Sequence, residues 1–257
     1  FVNIPGVEAV DYVHRTLAEY LAAVWLAKEI KNGLPIRRIK TLFSHDGGPT
    51  SELRGLHAWL PVLLPEHSKT FIDADPLGVL IYADAGSLSI SAKLNLLSAM
   101  EKLSEDNPWF YSRYDHSTSL PNFIEPSILS AVESYLEDIT ISSRFRILLL
   151  DIIGSGKPFS ALTPSLLKVA TEGHYSHAER TEALSCLSRL NLPKNTVRKL
   201  FDESIDQEEG SLILKAHILA KFYQNCFGPE DVTDILLASL KLSKKVPIGS
   251  LWNLANC

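Results

Sequence analysis

The chain has 257 residues, 30 acidic and 25 Lys+Arg side chains, and a formal net charge of -5. Hydrophobic residues at 46% and charged residues at 21% allow a packed core and exclude disorder as the main state. The mildly acidic balance lacks the cationic excess that general nucleic-acid binding relies on, and the length fits one large domain or two smaller ones.

Residues 8–31, EAVDYVHRTLAEYLAAVWLAKEIK, carry the clearest local pattern. Ala9, Val10, Tyr12 and Val13 around Asp11 form a short β-compatible patch. Thr16 followed three residues later by Glu19 predicts a capping box that opens a helix. Leu17, Tyr20, Leu21, Val24 and Trp25 then recur at helical spacing, which predicts a buried face covered in part by residues 34–64. Lys28 and Lys31 suit the helix C-terminus, and Asn32-Gly33 supplies a left-handed stop.

After Pro35 the same plan repeats: apolar residues three and four apart, ended by Gly, Pro, Asn or Asp. Helices are predicted at 36–43, 50–63, 75–83, 89–105, 126–138, 143–153, 160–171, 177–190, 194–204, 209–225, 229–241 and 245–254. Short connections imply antiparallel neighbours. Residues 107–125, long, aromatic and Pro-bounded, are read as an ordered surface loop. From Ser143 the pattern is quasi-periodic, with helix-turn-helix segments opening near Ser143, His177 and Glu209, spaced by 34 and 32 residues. The expected fold is therefore all-α, a HEAT-like α-solenoid of antiparallel helical pairs with at most a short β stub at the N-terminus. An irregular helical bundle gives a similar pattern. The expected division is 1–33, 34–142 and 143–257.

Two segments also admit a β reading. GVLIYADAG (78–86) and RILLLDIIGSG (146–156) resemble buried strands ending in a carboxylate and Gly, the way α/β enzymes present catalytic Asp residues. Low β-branched content and the polar-side placement of Arg144, Arg146 and Asp151 favour helices. Gly154-Ser155-Gly156-Lys157 lacks the spacing and hydroxyl of a phosphate loop and reads as a helix-helix turn. His174 and His177 with Glu172 and Glu179 form the densest metal-type cluster, but Gly173 interrupts the helix, and a solvated turn is the simpler role. His45-Asp46 has turn composition, and Asp75-Pro76 reads as a helix cap. Cys186, Cys226 and Cys257 form neither a disulfide framework nor a zinc pair. No metal ligand, catalytic residue or cofactor is expected in this chain.

The surface candidates are Trp109, Phe110, Tyr111, Arg113 and Tyr114, together with Phe123, because aromatics and Arg dominate protein-binding hot spots. Packing of the loop onto the helices is the alternative. Arg37, Arg38 and Lys40 form a small basic stripe, read as a solvated helix face. No apolar run reaches membrane-span length and no signal-peptide pattern opens the chain, which predicts a cytoplasmic protein. The first residue is Phe1, so a piece of something longer is expected.

The string His14-Arg15-Thr16-Leu17-Ala18-Glu19-Tyr20-Leu21-Ala22-Ala23 resembles the H-[RS]-[ST]-[FL]-x-E-[YF]-[LF]-A-A signature near the end of the winged-helix region of NACHT-type STAND NTPases. Residues 75–103 resemble helical segments that follow this signature in bacterial members. The resemblance implies that a strand carrying His14 leads into the helix that begins a C-terminal sensor region. It implies an ATPase module upstream, since no Walker A stands in this chain. The expected role is a non-catalytic interaction (sensor or scaffold) domain of a signal-transducing NTPase, with bacterial defence as the setting the resemblance implies, whose partners are proteins including that module. A small α/β or metal-dependent hydrolase using Asp84 or Asp151 with a His, and a structural subunit of a large assembly, are the alternatives.

Overall fold

Punctuated apolar periodicity of this kind builds helices, and helices dominate the computed structural model, which describes residues 2–3, 10–11, 14–43, 48–107, 109–110, 123–204 and 209–241. The β stub is a two-residue pairing, Val2–Asn3 (β1) antiparallel to Val10–Asp11 (β2), with Val2 opposite Asp11. Thirteen α-helices account for most of the other described residues. The segments weighed as strands, 78–86 and 146–156, are helical over most of their length, so neither Asp84 nor Asp151 stands at a strand end. The chain divides into two compact units, Phe1–Ile128 and Leu129–Cys257.

The first unit holds α1 (Arg15–Lys31), α2 (Ile36–Phe43), α3 (Arg54–Leu63), α4 (Ser68–Ala74), α5 (Pro76–Tyr82) and α6 (Ile90–Asp106). Helix α1 stops where expected: Asn32 is its C-cap, and Gly33 takes a positive φ of 104° that L side chains rarely adopt. Its start differs from expectation. The N-cap is His14, without a side-chain cap, so Thr16 lies inside the first turn and forms no capping box. Helix α3 begins at Arg54, not residue 50. Helix α4 and the 3-10 turn Pro65–His67 before it are additions, tied down by buried Phe71 and Ile72.

Packing in this unit centres on α3, which receives α1, α4 and α5, while α4 and α5 pack on α6. One core cluster joins Ala23, Leu26, Ala27 and Ile30 of α1 to Ile39 and Phe43 of α2 and to Leu60, Leu64 and Phe71. Asp75 caps α5 as expected, accepting the Gly78 N–H at 2.9 Å. It also holds Arg54 through two bonds of 2.6 and 2.9 Å, fastening α3 to the start of α5.

The second unit holds α7 (Leu129–Glu137), α8 (Ser143–Ser155), α9 (Thr163–Thr171), α10 (His177–Leu187), α11 (Lys194–Glu203), α12 (Glu209–Cys226) and α13 (Pro229–Lys241). Helix α10 packs on α8, α9 and α12; α7 packs on α8 and α9; α12 receives α11 and α13. The core runs through Leu148, Leu149 and Leu150 of α8, Ala183, Leu184 and Leu187 of α10, and Leu214 and Ile218 of α12. Gly154 and Ser155 belong to the last turn of α8 and Gly156 is its C-cap, in keeping with a turn there. The helix expected at 245–254 lies outside the described residues.

Candidate interaction surface

The family-like string sits at the start of α1 and serves to seat that helix. Arg15 Nε donates to Glu19 Oε1 at 2.7 Å, and its Nη2 reaches the Glu52 carbonyl at 3.1 Å. The Glu19 carboxylate lies against α3, where a Cβ on Gly55 would come within 2.2 Å of it. Tyr20 meets Trp59 of α3 edge-on, with centroids 5.0 Å apart. His14 contributes its carbonyl to the Ala18 N–H, and Thr16 is exposed. The string thus supplies contacts between α1 and α3.

The apolar face expected to be buried is the outer one. Leu17 is 54% exposed, Leu21 52% and Trp25 59%, with Val24 at 38% and Tyr20 at 37%. Residues 34–64 leave most of it open, meeting it at Tyr20 through Trp59. They pack mainly on the opposite side, where Ala23, Leu26, Ala27 and Ile30 join the core cluster that includes Leu60 of α3. Helix α1 is therefore apolar on two sides, and the outer one is mostly open within this unit. Lys28 and Lys31 continue the outer side toward the C-terminus, whereas Arg15 is turned to Glu19 and the Glu52 carbonyl.

The aromatic segment is divided in its exposure. Trp109 is 78% exposed, with its backbone N–H on Asn107 Oδ1 at 3.1 Å. Phe110 is 8% exposed, so its ring packs into the fold and is not offered to a partner. Phe123 is likewise buried. Tyr111, Arg113 and Tyr114 lie outside the described residues, as do His45 and Asp46.

In the second unit the EGHYSHAE turn is a joint. Ser176 and Glu179 form a capping box at α10: Glu179 Oε2 accepts the Ser176 N–H at 2.7 Å, and Ser176 Oγ accepts the Glu179 N–H at 3.4 Å. Glu179 also takes a buried ion pair from Arg146, whose Nη2 donates to the Asp138 carbonyl at 2.5 Å. The Arg146 guanidinium lies 5.0 Å from the Tyr175 ring centre. Burial pushes the Glu179 carboxyl up, but hydrogen bonds from Ser176 and Arg146 outweigh it and hold the group below its ordinary range. The Ser176-x-x-Glu179 spacing before α10 is the local signal for this cap, and nothing local signals Arg146.

The same arrangement recurs at α13. Asp231, also third in its helix, accepts the Gly228 N–H at 2.8 Å and two bonds from Arg198 at 2.6 and 3.1 Å. Each Arg precedes its acid by 33 residues, as Ser143 precedes Ser176, whose hydroxyls lie 3.2 Å apart.

The remaining polar features are dispersed. His174 packs on Tyr175 with Nδ1 3.5 Å from Glu172, while the His177 ring faces that of His217 at 6.4 Å. Burial lowers the His217 imidazole, helped by His177 and Lys221. Among the described residues no three His, Cys, Asp or Glu side chains converge to hold a metal ion. Asp84 accepts the Ser87 hydroxyl at 2.6 Å, and Asp151 lies along α8. An open cleft of about 430 Å³ between α4 and α6 is lined by Lys69, Asp73, Lys102 and Asp106. Another of about 370 Å³, between α9 and α11, carries Lys168 and Lys199, held by Glu137 and Glu203 at 2.9 and 3.4 Å. No helix among the described residues is long and apolar enough to cross a membrane. Compared with protein-family models, with curated proteins and with solved structures, the chain matches none of them.

Proposed function

We propose that this chain is a non-catalytic, HEAT-like interaction domain, the C-terminal sensor or scaffold part of a NACHT-type STAND NTPase. The observation that carries the reading is the stacking in the second unit. Helices α8, α10 and α12 succeed one another in packing order, with α7 and α9 in contact beside them. Side-chain ties, one buried, one half-buried and one exposed, link positions 33 residues apart, close to the sequence period. Units that bury their apolar faces on their neighbours form an extended surface, whose shape selects a partner and whose curvature passes strain along the chain.

The pairing differs by one helix from the sequence reading. Helix α9 packs on α10 and α11 on α12, which supports hairpins α7/α8, α9/α10 and α11/α12, although α13 also packs on α12, as the segment opening near Glu209 predicts. The sequence period survives this shift because it fixes spacing and not which neighbours pair. The string at 14–23 supports the family assignment, and the uncovered side of α1 supports a role in contact with another protein. Protein partners and a cytoplasmic location follow from that assignment.

Titration calorimetry of the chain with Mg-ATP tests the non-catalytic reading. No saturable heat is expected; micromolar binding would overturn it. Slow hydrolysis of an ester or phosphate substrate, abolished by Asp84→Asn or Asp151→Asn, would favour the hydrolase alternative.

A further inference from the structure

We propose that the outer side of α1 is the seat of an antiparallel amphipathic helix with an acidic first turn, supplied by another protein. This deepens the interaction reading above and rests on it. The stripe Leu17, Tyr20, Leu21, Val24, Trp25 follows three- and four-residue spacing along one helix, so it is one helix wide. Its exposed apolar area is on the order of 500 Å², within the range where patches on folded monomers are functional. Ridges at this spacing accept the ridges of a second helix.

Charge selects among the occupants. The exposed stripe carries Lys28 and Lys31 at its C-terminal end, while at the other end of the helix Arg15 and Glu19 pair with each other on the side of α3. Exposed Arg37, Arg38 and Lys40 follow on α2, which packs into the same cluster as Ile30. A second copy of α1 lying parallel would set those lysines against themselves; lying antiparallel, it would face them with a first turn whose Glu19 is already paired with Arg15 and turned to α3. Neither orientation supplies the lysines with an acid. An antiparallel partner instead presents its N-terminal turn to the lysines, where its own helix dipole favours Asp and Glu. The macrodipoles of the two helices then also oppose head to tail.

The test uses the whole chain and two labelled helical peptides of about four turns. Both carry Leu at i, i+3, i+4 and i+7; one has Glu and Asp in its first turn and the other Lys and Arg. By fluorescence anisotropy at low salt, the acidic peptide should bind at least about tenfold more tightly than the basic one. Leu21→Asp should abolish binding, and Lys28→Glu with Lys31→Glu should reverse the preference, with circular dichroism showing each variant folded. Equal affinities, or no binding of either peptide, overturn the proposal. So does a dimer in sedimentation that Leu21→Asp dissolves, which assigns the face to a second copy. Cosedimentation with phosphatidylserine vesicles that Leu21→Asp abolishes assigns it to a membrane and overturns the proposal as well. Failure here leaves the Mg-ATP result untouched, so the two readings fall separately.

Discussion

His57 of α3 is 2% exposed, held edge-on between Phe43 and Phe71 at 5.1 and 5.5 Å, with its Nδ1 lacking a hydrogen-bond partner. Burial pushes the imidazole down to about 4 from an ordinary 6.5. As pH falls through 6.5 the unfolded imidazole takes a proton that the native one refuses until about 4, so stability drops across that window and is flat above it. At 1.36 kcal/mol per pKa unit this residue costs about 2 kcal/mol between pH 7 and pH 5. Urea denaturation of His57→Leu should therefore show a pH 7-to-5 loss smaller by about that amount; an unchanged loss would mean that His57 is protonated in the fold. The two Arg-acid pairs 33 residues apart separate burial from geometry. Arg146 and Glu179 side chains are 4% and 2% exposed, whereas the Arg198 side chain is 42% exposed. Arg146→Met strands a carboxylate away from water and should cost ~3–5 kcal/mol. Arg198→Met leaves Asp231, whose side chain is 12% exposed, with the Gly228 N–H as a partner and should cost less, about 1–2 kcal/mol. Equal losses in denaturation would show that the repeat position, and not desolvation, sets the energy.

At the scale of an element, the capping box shows what a short motif can and cannot specify. Thr16-x-x-Glu19 and Ser176-x-x-Glu179 have the same form, but only the second caps. At α1 the chain is already helical from Arg15, and Arg15 draws Glu19 into an ion pair at 2.7 Å. At α10, Gly173 and the turn leave Ser176 extended, with φ -62° and ψ 157°, as an N-cap must be. Ser176→Ala should accordingly lower stability by about 1 kcal/mol, and Thr16→Ala by less than about 0.5 kcal/mol, read from thermal or urea unfolding. Helix positions were legible because apolar periodicity and Gly-Pro punctuation are local. The buried side of α1 was not, because the larger residues Leu17, Leu21 and Trp25 dominate the pattern, whereas the core takes the side of Ala23, Leu26, Ala27 and Ile30. Helix α4 escaped notice for a related reason: seven residues offer only Phe71 and Ile72 as apolar signal. The Arg146-Glu179 joint was invisible because nothing local tells a solvated Arg from a buried one, and long-range packing decides it.

At the scale of the molecule, a stacked solenoid and an irregular bundle differ in how the second unit comes apart. In a stack each hairpin is held by its neighbours, so interior helices open last and terminal ones first. Helix α10 touches α8, α9 and α12, and its Ala183, Leu184 and Leu187 are 0%, 1% and 0% exposed. Helix α13 packs on α12 and leaves Leu236 and Leu237 at 42% and 52% exposure. Native-state hydrogen exchange should thus give the slowest amides in α8 and α10 and a distinct, faster opening of α13. Leu184→Ala, a core truncation worth ~2–5 kcal/mol, should lower protection in α8, α10 and α12 together. The opening of α13, already below that level, should not move, because its ties are to α12 and, through Arg198, to α11. A bundle with one cooperative core would instead lose protection in all helices at once, α13 included. That result would remove the repeat architecture on which the interaction reading is built, since a surface generated by successive neighbours requires that the neighbours be separable.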